Sequence, residues 1–556
     1  MAGSMAIRTA PRLVTPAPLA PGAVPLKVPG GPLVFAGARV IPRPRRRRSD
    51  GAGRSRRPRL TRGALLLVLA SLALFTGAGA CGGAPAPPSV VLVSIDTLRA
   101  DRLNAYGYRD RTVSPHLDGL ARDGILFESH VSASPWTTPA HLSLLTSLSP
   151  HSHGVTASVA WLMKGLGQGG QYQRLADSHE TLAEVLARGG YATAAFTGGG
   201  TMDASIGFDQ GFDVYDSSMA KLGEEGFAAM TAWIDAHRGR PFFLFWHTFE
   251  THAPYHDATF LGEALPPGKA AALGHRLAEA GRLEGPFLAE DVGEEALRAH
   301  GAHTREVCSA LYDGGVLSAD RWVGRLLETL KGAGLYDRAL VVLTSDHGEQ
   351  LGEGPGEAGG EARDGHFYNA HGHTLYEELL RVPLIVKLPG SPGPARRVSA
   401  VTRAIDVMPT ILDLVGLSPA SPGRVQGRSL RPLWTGPPPE AREAFSEALS
   451  TDRESKSLRD SRHKYVVSMW PRQVSRRGRS HVPERDRLAA VELYDLVADP
   501  GERRNLLRDP TPEIARLADR FDKELRRRAA EAPGRAEPTR LGEEALERLH
   551  ALGYVE

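Results

Sequence analysis

Five apolar runs of strand length punctuate the middle of the chain: Val90–Ile95, Tyr191–Phe196, Pro241–Trp246, Ala339–Thr344 and Val382–Val386. Each is continuous rather than alternating, as expected of strands covered on both faces. Helical stripes lie between them. Thr181-x-x-Glu184 forms a capping box ahead of Leu182, Val185 and Leu186, and Gly189-Gly190 closes that helix. Val316, Ala319, Val323, Leu326, Leu327 and Leu330 mark a second amphipathic helix, ended by Gly332 and Gly334. Strands alternating with helices predict an α/β fold with a mostly parallel central sheet flanked by helices. After Pro437-Pro-Pro439 the pattern shortens. Lys464–Val467 and Val491–Tyr494 read as short strands and Glu513–Ala530 as an amphipathic helix, which predicts a small α+β C-terminal domain. The expected organisation is an N-terminal extension over 1–62 and a leader-like segment with linker over 63–88. A catalytic domain follows over 89–435, with a surface insertion at about 257–305, and then a C-terminal subdomain and helical tail over 436–556.

The N-terminus stands apart in charge. Residues 1–80 hold 14 of the 67 Lys/Arg and one of the 64 Asp/Glu, so a tail of +13 precedes a body of −10. An acidic body argues against a nucleic-acid partner. The runs Arg45–Arg48 and Arg54–Arg62 suit either an anion-binding tail or the charged start of an export signal. The adjoining Gly63–Ala80 favours the second reading, because it is apolar, short for a spanning helix, and ends in small residues. Cys81-Gly-Gly comes next, a lipobox-like cysteine with Ala78 where that pattern prefers leucine. The expectation is a bacterial cell-envelope protein, exported and held at the membrane by lipid on Cys81 or by an N-terminal anchor. Cys308, the other cysteine, sits in the helical stripe and reads as a buried structural thiol.

The candidate chemistry gathers where the strands end. Ligands of open α/β sheets bind at the carboxyl ends of strands. There the chain places Asp96, then Glu250 and His252 within His247–Tyr255, then Asp346-His347, with His366, His371 and His373 beyond a Gly/Glu-rich loop. Ser132–Thr146 adds a hydroxyl, Thr137, at the start of a helix whose first turn accepts Pro139. Free N–H groups and the positive end of the dipole make that position an anion site, although Thr-Thr-Pro also fits an ordinary cap. Carboxylate, imidazole and hydroxyl together suit a divalent cation such as Zn²⁺ or Mn²⁺.

Val93–Asp101 resembles the first metal motif of the sulfatase family in the alkaline-phosphatase superfamily, and Trp136–Ser147 with Pro150–Gly154 resembles its nucleophile segment. Thr251–Tyr255, Leu343–Glu349, His371–Glu378 with Arg381–Ile385, Asp406–Thr410, Arg462–Tyr465 and Glu492–Glu502 follow in family order. The resemblance implies that Asp96, Asp346 and His347 ligate metal, that Thr137 is the nucleophile, and that His252 and His371 contact substrate or transfer protons. His141, where the pattern has arginine, joins the catalytic set. The sulfatase pattern places Cys or Ser, the formylglycine precursor, at the position of Thr137, and an Asp at Thr97. A Thr nucleophile resembles instead the lipoteichoic-acid synthases and nucleotide pyrophosphatase/phosphodiesterases. The resulting expectation is a metal-dependent hydrolase of a sulfate- or phosphate-ester substrate. It binds one ion (zinc, manganese, calcium or magnesium) through Asp96, Thr137, Asp346 and His347. His373 and Glu250 are candidates for a second ion or for substrate. The alternatives are a phosphoryl-group transferase acting on envelope lipid or glycan, and a non-catalytic binding lipoprotein.

Overall fold

The central strand β1 (Val90–Ile95) is buried on both faces, as its unbroken apolar run requires. Nine strands surround and include it: β2 (Ile125–Val131), β4 (Ala192–Phe196), β5 (Val214–Asp216), β6 (Phe242–Thr248), β7 (Leu340–Thr344), β8 (Arg381–Val382), β9 (Leu384–Lys387) and β10 (Arg396–Arg403), where β3 (Tyr172–Arg174) belongs to a separate pair. Their order is β10-β2-β9-β7-β1-β6-β4-β5, with β8 beside β2. All pairings are parallel except those of β8 and β9. The structure, a computed structural model, describes residues 87–539 apart from 158–171, 219–222, 254, 256, 281–304, 352–370, 391–395, 437–441, 451–452, 471–487 and 532–533. The extension, the leader-like segment, Cys81, the Gly/Glu-rich loop and His366 lie outside the described residues.

Alternate side chains of β1 feed two cores. Val91, Val93 and Ile95 join helices α1 (Pro115–Asp123), α4 (Glu224–His237) and α5 (Arg305–Gly332) on one face. Val90 and Leu92 join α2 (Thr137–Thr146), α3 (Leu182–Arg188) and α6 (Val407–Val415) on the other. The capping box of α3 is formed in both directions, Glu184 N–H to Thr181 Oγ1 at 3.1 Å and Thr181 N–H to Glu184 Oε2 at 2.8 Å. Cys308 is buried in α5 and burial pushes its thiol up to about 12, so it is inert. The stretch expected as a surface insertion packs inward in its described part: Leu261, Leu273 and Leu277 belong to the first core.

The C-terminal unit is an antiparallel meander of β11 (Ala444–Leu449), β12 (Glu454–Arg459), β13 (His463–Met469) and β14 (Leu488–Asp495). Helix α7 (Pro512–Ala529) covers it, placing Phe521 and Leu525 against Leu458, Tyr465 and Leu493. The short strand β15 (Glu537–Thr539) returns to pair with β3.

Candidate active site

Three parallel strands deliver the acidic and imidazole groups. Asp96 follows β1 and donates its backbone N–H to Thr248 O at 2.9 Å, which ties it to the end of β6. Asp346 and His347 follow β7. Asp346 Oδ1 accepts the N–H groups of His347 at 2.8 Å and Thr97 at 3.2 Å. Thr97 adopts a left-handed φ of 56°, which is costly for a β-branched residue. Tyr312 of α5 donates to the Thr97 carbonyl at 2.7 Å and so helps hold that geometry. The position expected to differ from the family's second Asp therefore contributes a backbone N–H rather than a carboxylate.

Helix α2 brings the hydroxyl. Trp136 occupies the N-cap without a side-chain cap, and Thr137 is the first helical residue. Its hydroxyl is therefore not spent on capping. Thr137 Oγ1 lies 3.4 Å from Asp96 Oδ2 and 3.3 Å from His347 Nε2, and the residue is 2% exposed. Thr138 turns away and donates to Thr201 O at 2.7 Å.

Asp96, Asp346 and His347 bring ligand atoms within 4.8 Å of one another, and His141, His247 and Asp346 do the same. Asp96 Oδ1 and Asp346 Oδ2 are buried without a hydrogen-bond partner among the described residues. Burial, and then the Asp346 charge, push the Asp96 carboxyl well up. Asp346 is held low against its burial by the neighbouring imidazoles, His347 first. Two buried carboxylates with free oxygens fit one divalent cation in charge and in donor type. Asp96, Asp346, His347 and the Thr137 hydroxyl are the groups that would hold it.

The remaining candidates divide. His371 Nδ1 lies 3.1 Å from Glu349 Oε1, and its ring centroid is 4.6 Å from that of His347 and 5.2 Å from that of His252. His371 and then His252 therefore extend outward from the His347 ring, which itself touches the Thr137 hydroxyl, and burial pulls His252 down to about 3 and His371 to about 4. His373 is one step out, 3.0 Å from Gln350 Oε1. His141 is not aimed at the Thr137 hydroxyl. Its Nδ1 lies 3.0 Å from Thr137 O, one helical turn back, and its Nε2 lies 2.9 Å from Ser94 Oγ. Burial lowers it to about 3, and its Nδ1 also lies 3.6 Å from Asp346 Oδ2. Glu250 accepts from Ser318 of α5 at 2.7 Å and belongs to neither ligand group, because Gly314 and Gly315 let α5 close on that segment. A second ion held by His252, His371, His373 and Glu250 is not assembled among the described residues.

Two groups at the site were not among the expected ligands. His247, the sixth residue of β6, places Nε2 3.1 Å from Asp96 Oδ2. Glu349 is fully buried, orients His371 and keeps Oε2 without a hydrogen-bond partner. Both sit in motifs already singled out, and the register β1–β6, Ser94 opposite His247, was the missing information.

A buried carboxylate pair and a helix-start hydroxyl at strand ends define a site for cleaving charged esters. The family model for sulfatases matches residues 88–417, and the chain belongs to the sulfatase family. It is a hydrolase of ester bonds. It is 27% identical to steryl-sulfatase of Mus musculus over 574 residues, spanning 87% of this chain and 89% of that protein. It is also 27% identical over 516 residues to a multifunctional alkaline phosphatase superfamily protein of Trinickia caryophylli, spanning 76% and 91%. Among solved structures, the phosphonate monoester hydrolase of Agrobacterium radiobacter superposes with a TM-score of 0.54 at 23% identity, covering 82% of this chain and 97% of that one.

Proposed function

We propose that this chain is a metal-dependent ester hydrolase of the bacterial cell envelope in which Thr137 is the nucleophile and the ester is one of phosphorus in preference to sulfate. The observation that carries the reading is the Thr137 hydroxyl, uncapped at the first residue of α2 and within 3.4 Å of both Asp96 and His347. Members of the superfamily use a divalent cation. When bound, it neutralises Asp96 and Asp346, acidifies the Thr137 hydroxyl and polarises the ester.

Thr137 Oγ attacks in line, the bond to the leaving oxygen breaks, and a threonine ester remains for water to cleave. The free N–H groups of Thr137 and Thr138 at the start of α2 face the charge on the ester's oxygens. Glu349 fixes Nδ1 of His371, so Nε2 of the neutral ring is the acceptor that takes the proton released as Thr137 Oγ attacks, and the departing oxygen takes its proton from water. Phosphorus is favoured because a threonine carries a methyl where formylglycine hydrate carries its second hydroxyl. A threonine ester must be cleared by attack at the central atom, a route open to phosphate. The name of the Trinickia relative is consistent with reactivity broader than sulfate.

The envelope location rests on Gly63–Cys81, and one N-terminal attachment favours hydrolysis over the transferase alternative. Incubating the enzyme with bis-p-nitrophenyl phosphate and with p-nitrocatechol sulfate, quenching in acid and mapping the peptide over 132–147 tests the reading. A phosphorylated Thr137 is expected. A labelled residue elsewhere, or turnover with no covalent ester, overturns it.

A further inference from the structure

Among the described residues, Thr97 is one of three non-glycine positions with a left-handed backbone, at φ 56°. A branched Cβ makes that conformation costly. Strain of this kind persists only where the surroundings over-determine it. The turn after β1 is over-determined in this sense. Asp96 N–H donates to Thr248 O at 2.9 Å, and the Thr251 hydroxyl donates to the Asp96 carbonyl. Leu98 N–H donates to Ser345 Oγ at 3.0 Å.

Tyr312 holds the centre of the turn. Its hydroxyl accepts Arg99 N–H at 2.9 Å and donates to Thr97 O at 2.7 Å. A hydroxyl has one hydrogen to give, and here Thr97 takes it. The tyrosine is itself fixed, fully buried on α5 in the first core, with its ring centroid 6.1 Å from that of Tyr255.

The strained residue serves the site through its backbone. Thr97 N–H meets Asp346 Oδ1 at 3.2 Å, beside His347 N–H at 2.8 Å. Oδ1 is thus anchored by two amides. Oδ2 stays buried without a hydrogen-bond partner among the described residues. The carboxylate is divided into an anchored oxygen and an open one. Moving φ of Thr97 into the ordinary range near −60° turns its N–H by roughly 120° relative to Leu98 and Arg99. The N–H then loses Asp346 while the residues after it keep their bonds.

We infer that Tyr312 is a positioning residue of the ion site. By bridging Arg99 and Thr97 it keeps Thr97 left-handed, which aims Thr97 N–H at Asp346 Oδ1 and leaves Oδ2 for the ion. The inference rests on the reading of Asp96, Asp346 and His347 as ligands of a divalent cation. Tyr312 acts through a backbone amide, at one remove from the ligand.

Calorimetric titration of the EDTA-treated full chain with Zn²⁺ and with Mn²⁺ tests this, alongside the urea midpoint of the metal-free protein. Tyr312→Phe keeps the buried ring and loses only the hydroxyl. It is expected to weaken ion binding about 10–100-fold, the size of effect that follows removal of a group behind a metal ligand. Thr97→Gly is expected to bind the ion as the wild type does, because glycine reaches a left-handed φ without a Cβ. In that background Tyr312→Phe is expected to weaken binding less than about threefold, since the two residues act on one turn and their effects do not add. Thr97→Pro has no N–H to give and is expected to lose as much affinity as Tyr312→Phe, with the tyrosine in place.

A tyrosine that only stabilises the fold forecasts a lower urea midpoint with unchanged ion affinity, or equal losses in both Thr97 backgrounds. Either result overturns the inference. Unchanged affinity in Thr97→Pro also overturns it, and decides the matter if Tyr312→Phe does not fold. Wild-type protein that takes up neither ion overturns the ion site and this inference with it. Wild-type protein that binds, with variants that bind equally well, overturns the role of Tyr312 alone.

Discussion

Two clusters of buried charge sit in this molecule, and they are built on opposite principles. Where the antiparallel meander meets the catalytic domain, Lys464 is fully buried with its Nζ 3.2 Å from Glu377 Oε1 and 2.8 Å from Glu502 Oε1. Arg459 adds a contact of 3.1 Å to Glu377 Oε2. Cations and carboxylates there face each other within the chain. At the strand ends, Asp96, Asp346 and Glu349 are equally buried, yet each keeps an oxygen with no hydrogen-bond partner among the described residues. Both clusters carry the cost of removing charge from water. The first sets Lys464 and Arg459 against its carboxylates, although Glu502 Oε1 and Arg459 Nε also lack a hydrogen-bond partner among the described residues, whereas the second sets only imidazoles beside Asp346. The difference separates a cluster whose carboxylates meet lysine and arginine from one whose carboxylates meet only imidazoles, the arrangement on which the proposed ion site rests.

The strongest contrast between the clusters is expected from Thr137→Ala. It should lower kcat/KM by more than ~10³-fold with an unchanged thermal transition, because nucleophile and metal act as a unit. Thr138→Ala, one residue on, is expected to leave kcat/KM alone and cost only about 1 kcal/mol in urea unfolding through its lost bond to Thr201. Lys464→Met inverts the pattern. It leaves Glu377 and Glu502 buried without their shared cation and is expected to cost about 3–5 kcal/mol of unfolding free energy. Retained stability in that variant would collapse the distinction between the clusters.

His247→Gln is expected to weaken metal affinity or activity about 10–100-fold, measured by metal titration, because the imidazole orients Asp96 without needing to touch substrate. The smallest effect is in pH. Burial first, and the Glu377 charge beside it, push Glu502 up to about 7 from 4.5. The folded state therefore holds a proton that the unfolded chain releases. This contribution to stability is present below about pH 4.5 and is lost as pH rises through 7. Glu502→Gln is expected to flatten the urea midpoint across that window.

Continuous apolar runs made the parallel strands legible, and β1, β4, β6 and β7 lie within a residue or two of their expected bounds. The direction of β9 was not legible, since an apolar run is the same read either way. Nor were β2, β10, β11 and β12. Ile125–Val131 carries Glu128, Ser129 and His130, and β10 begins with Arg396-Arg397 and exposes them, so neither shows an unbroken run. Motif order pointed to Asp96, Thr137, Asp346, His347 and His371, which the fold brings together. Neither the orientation of His141, whose ring turns to Ser94 and the Thr137 carbonyl, nor that of Glu250, which turns to Ser318, could be read from the motifs, for one reason. A motif says that a residue is near the site but not which way its side chain turns, and that is decided by the helix turn beneath Thr137 and by the close approach of α5.

The loop that presents Thr137 leans on β11. Ser446 Oγ donates to Ser132 O at 2.6 Å, Glu447 N–H to Ala133 O at 3.0 Å, and Trp136 Nε1 to Leu449 O at 3.2 Å. These supports lie more than 300 residues downstream of the loop, and beyond the stretch that the family model covers. During synthesis Asp96, Thr137, Asp346 and His347 are all made before the strand that props the loop. A chain that stops short of β11 keeps those groups but lacks the three hydrogen bonds that steady the loop before Thr137.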